Sequence, residues 1–387
     1  MPGKDAKHHV LIAGGGVAAL EAMVALRTLA GELVEVELLS PDTDFLYRPM
    51  AVAEPFGVGE VQRFDLASLA RGCGATHSLG TLVAVEAEDR RVRTSRNSTF
   101  SYDSLLIAIG ARAREAVRGA LTFRGDPDIR LVSALLDDLE RGHVTKVVFA
   151  VPGGVTWSLP LYELALLTAD HLARKAVTHA RLTVVTPEDT PLGLFGSEAS
   201  EAVAARLRER DIELVTGAYP DAFLDGELRL VPDEVIAADA VVSLPRFRGI
   251  ALAGVPQDED LFIPVDSGGR VTGLDGVYAA GDITTFPVKQ GGLAAQQADA
   301  VAETIAAAAG ADVVPQPFDP VLRGLVLSGS PLYLRAELGG GRGDVSTADT
   351  EALWWPAGKI AAKHLSPYLA EHVGLAYGPP GGRALLL

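Results

Sequence analysis

The sequence predicts an α/β fold made of two related modules, because two segments each read as a buried strand, a glycine turn and a helix. In the first, strand Val10–Ala13 runs into Gly14-Gly15-Gly16 and a helix from about Val17 to Leu29. In the second, strand Lys146–Ala150 runs into Pro152-Gly153-Gly154 and a helix. A length of 387 residues suits two or three domains.

The remaining elements follow from local pattern. The first module continues with strand Val34–Leu39, a β-meander over 79–102 and strand Ser104–Ile109. The second continues with a helix over about 160–174, strand 181–186 and a helix near 198–210, after which strand 240–243 is expected to return to a sheet. Strand 276–280 and an Ala-rich helix after Gly292 come next. The tail predicts a hairpin, 325–327 with 332–334, and a helix around 360–372 interrupted by Pro367.

Composition limits the function classes. Lys and Arg total 34 against 50 Asp and Glu, a formal net charge of −16, which repels phosphate backbones and anionic lipids. Nucleic acid is therefore not an expected partner. Cys73 is the single cysteine, so a cysteine pair within the chain is excluded and a reducing cytoplasm is the expected location. No apolar run reaches the ~18 residues of a membrane span, and no histidine spacing predicts a metal site.

The first glycine turn predicts a dinucleotide site. Gly14 to Ala19 fits G-x-G-x-x-A directly between strand and helix. Gly14 permits the tight turn, Gly16 admits a pyrophosphate, and Ala19 allows close helix packing. Val17 and Ala18 open the helix, whose N-terminus favours an anion.

The acidic residue that usually holds the adenosine ribose is less clear in this sequence. The second strand ends in Ser40-Pro41-Asp42. Asp42, or Ser40 with main-chain groups, remain the alternatives for that contact.

Two later segments give the resemblance that names a cofactor. Residues 276–282, GVYAAGD, resemble the C-terminal FAD motif of the pyridine nucleotide-disulfide oxidoreductase superfamily, and residues 102–110, YDSLLIAIG, resemble its YD-x-L-x-I-A-x-G segment. With the first turn, three motifs occur in the expected order over about 300 residues. The resemblance implies non-covalent FAD, with Ala108, Gly110, Gly281 and Asp282 in its site.

The resemblance also implies the architecture. It consists of two Rossmann-type, three-layer dinucleotide-binding domains, the second inserted in the first, and a small C-terminal α+β cap. The expected FAD domain covers 1–112 and 240–310, the insert 113–239 and the cap 311–387.

Within the superfamily, the chain is most similar to the sulfide:quinone oxidoreductase and type II NADH dehydrogenase branch. Residues 45–49, FLYRP, resemble a segment near the flavin, and residues 286–292, FPVKQGG, resemble the helix start beneath its ring. The resemblance places Arg48, Lys289 and Gln290 beside the flavin as the catalytic candidates. Lys289 would stabilise the negative charge of the reduced ring.

Two departures bear on the reaction. The family's sulfide oxidation uses a cysteine pair, which this chain lacks, and Cys73 is interpreted as a small filler in a glycine-rich turn. The second turn, VPGGVTWSLP, lacks G-x-G-x-x-G, and Trp157 could fill its phosphate slot. NAD(P)H as direct donor therefore stays open. Glu163 could face a nicotinamide ribose, or be only a favourable first-turn acid.

The sequence thus predicts an FAD-dependent oxidoreductase that passes two electrons from NAD(P)H or another small reductant to a quinone or other small acceptor. The alternative is a redox-sensing or partner-binding flavoprotein with slow turnover, resembling apoptosis-inducing factors. Trp354-Trp355-Pro356, before Lys359 and Lys363, is interpreted as core or dimer packing. A weak peripheral membrane contact and a homodimer remain open alternatives.

Overall fold

The computed structural model describes residues 7–338 and 346–372. Its first module contains the following elements: β1 His8–Ala13, α1 Val17–Leu29, β2 Val34–Ser40, β3 Asp44–Leu46, β4 Arg63–Asp65, α2 Leu66–Gly72, β5 Thr76–Leu79, β6 Leu82–Glu86, β7 Arg91–Thr94, β8 Thr99–Ser101, β9 Ser104–Ile107 and β10 Arg112–Arg114.

The second module and the return to the first contain the next set: β11 Leu121–Thr122, α3 Ile129–Arg141, β12 Lys146–Ala150, α4 Leu159–Arg174, β13 Arg181–Val185, α5 Ser197–Arg208, β14 Glu213–Val215, β15 Tyr219–Leu224, β16 Glu227–Val231, β17 Glu234–Ala237, β18 Ala240–Ser243, β19 Arg246–Arg248, β20 Val277–Ala279 and α6 Gly291–Ala308. The tail contains β21 Val321–Val326, β22 Leu332–Glu337, β23 Ser346–Asp349 and α7 Leu365–His372.

The first module is a parallel sheet with strand order β20-β9-β1-β2-β5. Alternate residues of a strand point to opposite faces, so Val10 and Ile12 pack under α1 and α6, whereas Leu11 and Ala13 pack against the meander β6–β8. This gives three layers, as expected. The strand β20 comes from residues that follow the whole second module in the chain.

The second module repeats this plan with strand order β11-β18-β12-β13-β14, all parallel. Its helices cover one face, on which Val147 and Phe149 lie. The small antiparallel sheet β15–β17 covers the other face, where Val148 packs near Leu228.

One boundary differs from the sequence prediction. Strand β18 lies inside the second sheet, between β11 and β12, whereas the prediction assigned residue 240 onward to the FAD domain. Pairing of Val147–Ala150 with Ala240–Ser243 explains the difference. The chain leaves and re-enters the first module through β10 and β19, which pair with each other.

The tail packs against both modules. Strands β21, β22 and β23 form an antiparallel sheet that extends the predicted hairpin by one strand. Gly324 allows the close packing of β21 on α4, because a Cβ at this position would lie 2.5 Å from Leu159 Cδ1 and would force that side chain to shift. Trp354 packs edge-on against Tyr333 at 5.0 Å, as the packing interpretation of the tryptophans expects.

The last helix is shorter than predicted. It begins at Leu365 rather than Ile360, and Pro367 falls in its first turn, where a missing N–H costs nothing. Before it, Ser366 Oγ donates to the Ile360 carbonyl and accepts from the Ala362 N–H, which holds those residues in a turn.

Candidate functional site

The first glycine turn lies at the carboxyl end of β1. Gly14 has φ +135°, and a Cβ there would stand 2.1 Å from the Ala108 carbonyl oxygen, so only glycine lets the two loops meet. Gly16 is the N-cap of α1, and a Cβ on it would meet no protein atom within 4 Å. The turn is thus held on one side and open on the other, which suits a pyrophosphate at the helix N-terminus.

The residues after the turn form the start of α1, which packs against α6. Ala18 and Ala19 are buried and Val17 is half-buried. The loop at Gly281, with φ +80°, approaches the same surface, since a Cβ there would lie 3.2 Å from the Ala18 Cβ. These small side chains let the helix start approach the Gly281-Asp282 loop.

The two alternatives for the ribose contact differ in exposure. Ser40 is fully buried, and its Oγ accepts the Asp42 backbone N–H at 3.1 Å, so it shapes the turn after β2. The Asp42 side chain is exposed at the edge of the cavity. Of these two candidates for the ribose contact, Asp42 has a side chain that is accessible to a ligand.

The motif residues Ala108, Gly110, Gly281 and Asp282 meet at the carboxyl ends of β9 and β20, next to Gly14. Burial raises the pKa of Asp282, and the nearby Lys289 and Arg48 charges oppose that shift. The site therefore couples one half-buried carboxyl to two cations.

Lys289 lies at this cavity with its ammonium already engaged. Its Nζ donates to the carbonyls of Thr284 at 2.6 Å and Phe286 at 2.8 Å, and it stands 3.9 Å from the centroid of the Phe262 ring. Burial lowers its pKa to about 8. The lysine is thus a fixed, half-buried cation rather than a solvated surface residue.

Gln290 and Arg48 occupy the same wall in different ways. Gln290 is the N-cap of α6: its Oε1 accepts the Leu293 N–H at 2.8 Å. In this structure Gln290 therefore caps the start of α6. The Arg48 side chain is 69% exposed, with Nε 3.8 Å from Asp126 Oδ1, so it is free to turn toward a ligand.

A buried ion pair, which the sequence did not reveal, borders the cavity. Glu163 of α4 is fully buried, and its carboxylate accepts from Lys359 Nζ at 2.5 Å and from the Leu327 N–H at 2.8 Å. Lys359 also donates to the Leu325 carbonyl. The two residues are 196 positions apart, so only the fold brings them together.

The second glycine turn has a carboxylate and an aromatic side chain beside it. Glu188, after β13, accepts from Tyr162 OH at 2.7 Å and from Ser158 Oγ at 3.1 Å. Trp157 packs on Phe195 with ring centroids 5.9 Å apart. A carboxylate and an indole thus stand at the start of α4, where a dinucleotide module usually receives phosphate.

Arg48, Asp282, Lys289 and the Glu163–Lys359 pair line one cavity of about 1270 Å³, together with both glycine turns and Trp157. Single-ligand pockets typically measure about 300–1,000 Å³, so this space exceeds that of one ordinary ligand. The open side of Gly16, the close Gly14–Ala108 approach and the half-buried Asp282 fit an FAD, and the remaining volume extends toward Trp157 and Lys359.

Comparison with known sequences decides the family. The sequence profile described as pyridine nucleotide-disulphide oxidoreductase matches residues 8–308. The chain belongs to the pyridine nucleotide-disulphide oxidoreductase family. Membership in this family makes it an FAD-dependent oxidoreductase, as the three ordered motifs predicted.

Individual relatives of this oxidoreductase are distant. An NADH dehydrogenase-like protein of Mycobacterium tuberculosis is 26% identical over 295 residues, covering 71% of this chain and 72% of the relative. The ferredoxin reductase component of a chlorobenzene dioxygenase from Cupriavidus is 23% identical, covering 73% and 69%.

Among solved structures, the sulfide:quinone oxidoreductase of Aquifex aeolicus has a TM-score of 0.78 at 18% identity, covering 89% of this chain and 87% of that one. At that identity the likeness concerns the fold.

Cys73 of this oxidoreductase lies apart from the cavity. It is buried at the end of α2, and burial raises the pKa of its thiol. A raised pKa leaves less thiolate, the reactive form. Within the described part of the chain, no helix combines the length and hydrophobicity needed to cross a membrane.

Proposed function

We propose that this oxidoreductase transfers two electrons from NAD(P)H through FAD to a quinone or another small two-proton acceptor, without a redox-active cysteine pair. The supporting observation is that one continuous cavity extends from the first glycine turn to the buried Glu163–Lys359 pair. Bound FAD supplies the two-electron chemistry, and the protein supplies position, charge and protons.

The first module holds the cofactor in this proposal. Gly14 and Gly16 leave room for the pyrophosphate at the start of α1, and Asp282 reaches the central part of the cofactor. Lys289 is held by hydrogen bonds to two backbone carbonyls. In this proposal its positive charge would stabilise the negative charge of the reduced flavin.

The ion pair serves the acceptor. Reducing a quinone to a quinol consumes two electrons and two protons, so its site needs groups that exchange protons. Lys359 Nζ is a donor held against the Glu163 carboxylate, and both border the cavity. We assign to this pair the delivery of a proton to the reduced acceptor.

The donor is tested first. Anaerobic mixing of the purified protein with NADH, NADPH or sulfide, while flavin absorbance is followed, should bleach the flavin rapidly with one of the two nicotinamides. Rapid bleaching by sulfide alone would contradict the proposal.

The acceptor is tested with Glu163→Gln. The variant should slow turnover with a soluble quinone at least tenfold and alter its pH profile. Turnover with ferricyanide, which takes electrons but no protons, should stay near the wild-type value and shows that the variant is folded. An equal loss with both acceptors would remove the proton role.

The redox-sensing alternative is favoured by one observation, the position of the Glu188 carboxylate and the Trp157 ring beside the second turn. Steady-state turnover separates the two functions. Fast turnover with NADH and a soluble quinone removes the sensor, whereas slow reduction followed by a long-lived reduced protein supports it.

A further inference from the structure

The two strands that connect the modules carry four arginines. In the antiparallel pair β10–β19, Arg112 lies opposite Arg248 and Arg114 lies opposite Arg246. Because side chains alternate along a strand and opposed residues share a face, all four arginines lie on one face of this ribbon. We call this group the arginine ribbon.

This arrangement needs an explanation, because like charges directly opposite each other destabilise a strand pair. Elsewhere at the cavity, arginines have acidic neighbours: Arg48 lies near Asp126, and Arg124 is paired with Asp128. Among the described residues, no carboxylate oxygen lies within 4.0 Å of the ribbon guanidiniums. In a chain with net charge −16, four cations without such partners indicate an anionic ligand.

Two of the guanidiniums are held in place by the backbone. Arg246 Nε donates to the Gly153 carbonyl at 2.7 Å, and Arg248 Nη2 donates to the Glu259 carbonyl at 3.3 Å. Arg248 Nε is buried with no hydrogen-bond partner among the described residues. In each of these two arginines, one N–H is used for the contact with the backbone. The other N–H groups of the guanidinium can donate to a ligand.

The ribbon borders the same cavity as the second glycine turn. The Arg246–Gly153 hydrogen bond joins the two directly. That turn is poorly suited to phosphate by itself, since Glu188 stands beside the start of α4 and Pro160 lacks an N–H to offer. A phosphate that enters this part of the cavity needs positive charge from elsewhere.

We infer that the arginine ribbon binds the phosphate groups of the dinucleotide electron donor, in place of the backbone cradle that the second turn lacks. The inference rests on the proposed NAD(P)H donor. Guanidinium groups form paired hydrogen bonds with phosphate oxygens, which suits this task better than point charges. The ribbon also joins the two modules, so a phosphate on it would lie between them.

The test uses a ligand that carries the phosphates but no redox group. ADP-ribose is titrated into the FAD-loaded protein and binding is measured by calorimetry, for the wild type and for Arg114→Gln/Arg246→Gln. We expect the Kd to rise at least tenfold in the double variant, with a weaker dependence on salt. Arg246→Lys should recover part of the affinity, and Arg118→Gln, an exposed arginine outside the cavity, should leave the Kd unchanged.

The possible outcomes separate the two proposals. If NADH or NADPH reduces the wild type and the double variant binds ADP-ribose with an unchanged Kd, the ribbon proposal is overturned while the donor stands. Loss of FAD from the double variant during purification would assign the ribbon to the cofactor and also overturn it. If NADH and NADPH do not reduce the wild-type protein and ADP-ribose does not bind to it, both the ribbon proposal and the proposed donor are overturned.

Discussion

The buried carboxyl pair of Glu21 and Asp299 should make the stability of the protein depend on pH. Glu21 of α1 accepts the backbone N–H groups of His364 at 2.8 Å and Leu365 at 2.5 Å; burial raises the pKa of Glu21, and these two donors oppose that shift. Asp299 of α6 lies beside it. Burial, and then the Glu21 charge, raise the pKa of Asp299 to about 9.

Other charged groups near Asp299 act in both directions. Lys363 lowers its pKa and Glu303 raises it. His364 Nε2 lies 3.9 Å from Asp299 Oδ1, and burial lowers the pKa of that histidine. At neutral pH the folded protein therefore keeps a proton on Asp299 that the unfolded chain, with an ordinary carboxyl pKa near ~4, has released.

The sign and size of the effect follow from proton linkage. Between about pH 4 and 9 the folded state binds one more proton than the unfolded state, so stability falls as pH rises, by up to about 1.4 kcal/mol per pH unit. Asp299→Asn keeps the shape of the neutral acid and removes its titration. From pH 6.5 to 8.0, the variant should therefore gain about 2 kcal/mol relative to the wild type.

The assay is urea unfolding followed by tryptophan fluorescence at pH 6.5, 7.25 and 8.0, with saturating FAD throughout. Asp312→Asn, at an exposed position, is the matched control and should follow the wild type. Parallel pH dependences for Asp299→Asn and the wild type would refute the shared-proton reasoning, whatever their absolute stabilities.

Three further changes have defined outcomes. Lys289→Met should keep FAD but lower its midpoint potential at pH 7 by about 30–60 mV, the equivalent of a charge-assisted contact of about 1.5–3 kcal/mol. Redox titration should find a smaller difference at pH 9.5, because the wild-type lysine has a pKa of about 8 and has lost its charge there. Cys73→Ser should retain turnover, and a tenfold loss, about 1.4 kcal/mol of barrier, would give the thiol a function. Lys359→Met should lower the free energy of unfolding by about 3–5 kcal/mol because it leaves Glu163 buried without its cation, and adding Glu163→Gln should restore most of the stability in urea.

The sequence was most informative where local chemistry decides the structure. The turn at Gly14–Gly16 and the helix that begins at Gly291 are set by glycine and apolar spacing, and both are confirmed within one or two residues. The meander predicted over 79–102 from alternation is found as β6–β8 over 82–101. The family resemblance carried by the three ordered motifs implied an inserted module.

It was least informative where distant residues meet. Strand 240–243 belongs to the second sheet because it pairs with β12. This pairing joins residues about 90 positions apart, so no local pattern in the sequence reveals it. The ion pair Glu163–Lys359 joins α4 to the tail, and the early half of the predicted last helix is a turn stabilised by Ser366.

The arginine ribbon is an intermediate case. Its alternation, Arg112-Ala113-Arg114 and Arg246-Phe247-Arg248, is visible in the sequence. Its meaning depends on the two segments being paired, which only the structure provides.

The strand order of the first sheet has a consequence for synthesis on the ribosome. Strand β9 is flanked by β1 and by β20, and β20 is translated about 170 residues after β9. At about 5–20 residues per second, roughly 10–30 s separate the two strands. The inserted module, whose sheet is complete at residue 243, can finish folding in that interval, while the first waits with an open edge at β9. The inserted module is thus expected to fold before the module that surrounds it, and the first module's segment up to residue 114 is exposed to misassembly for longest.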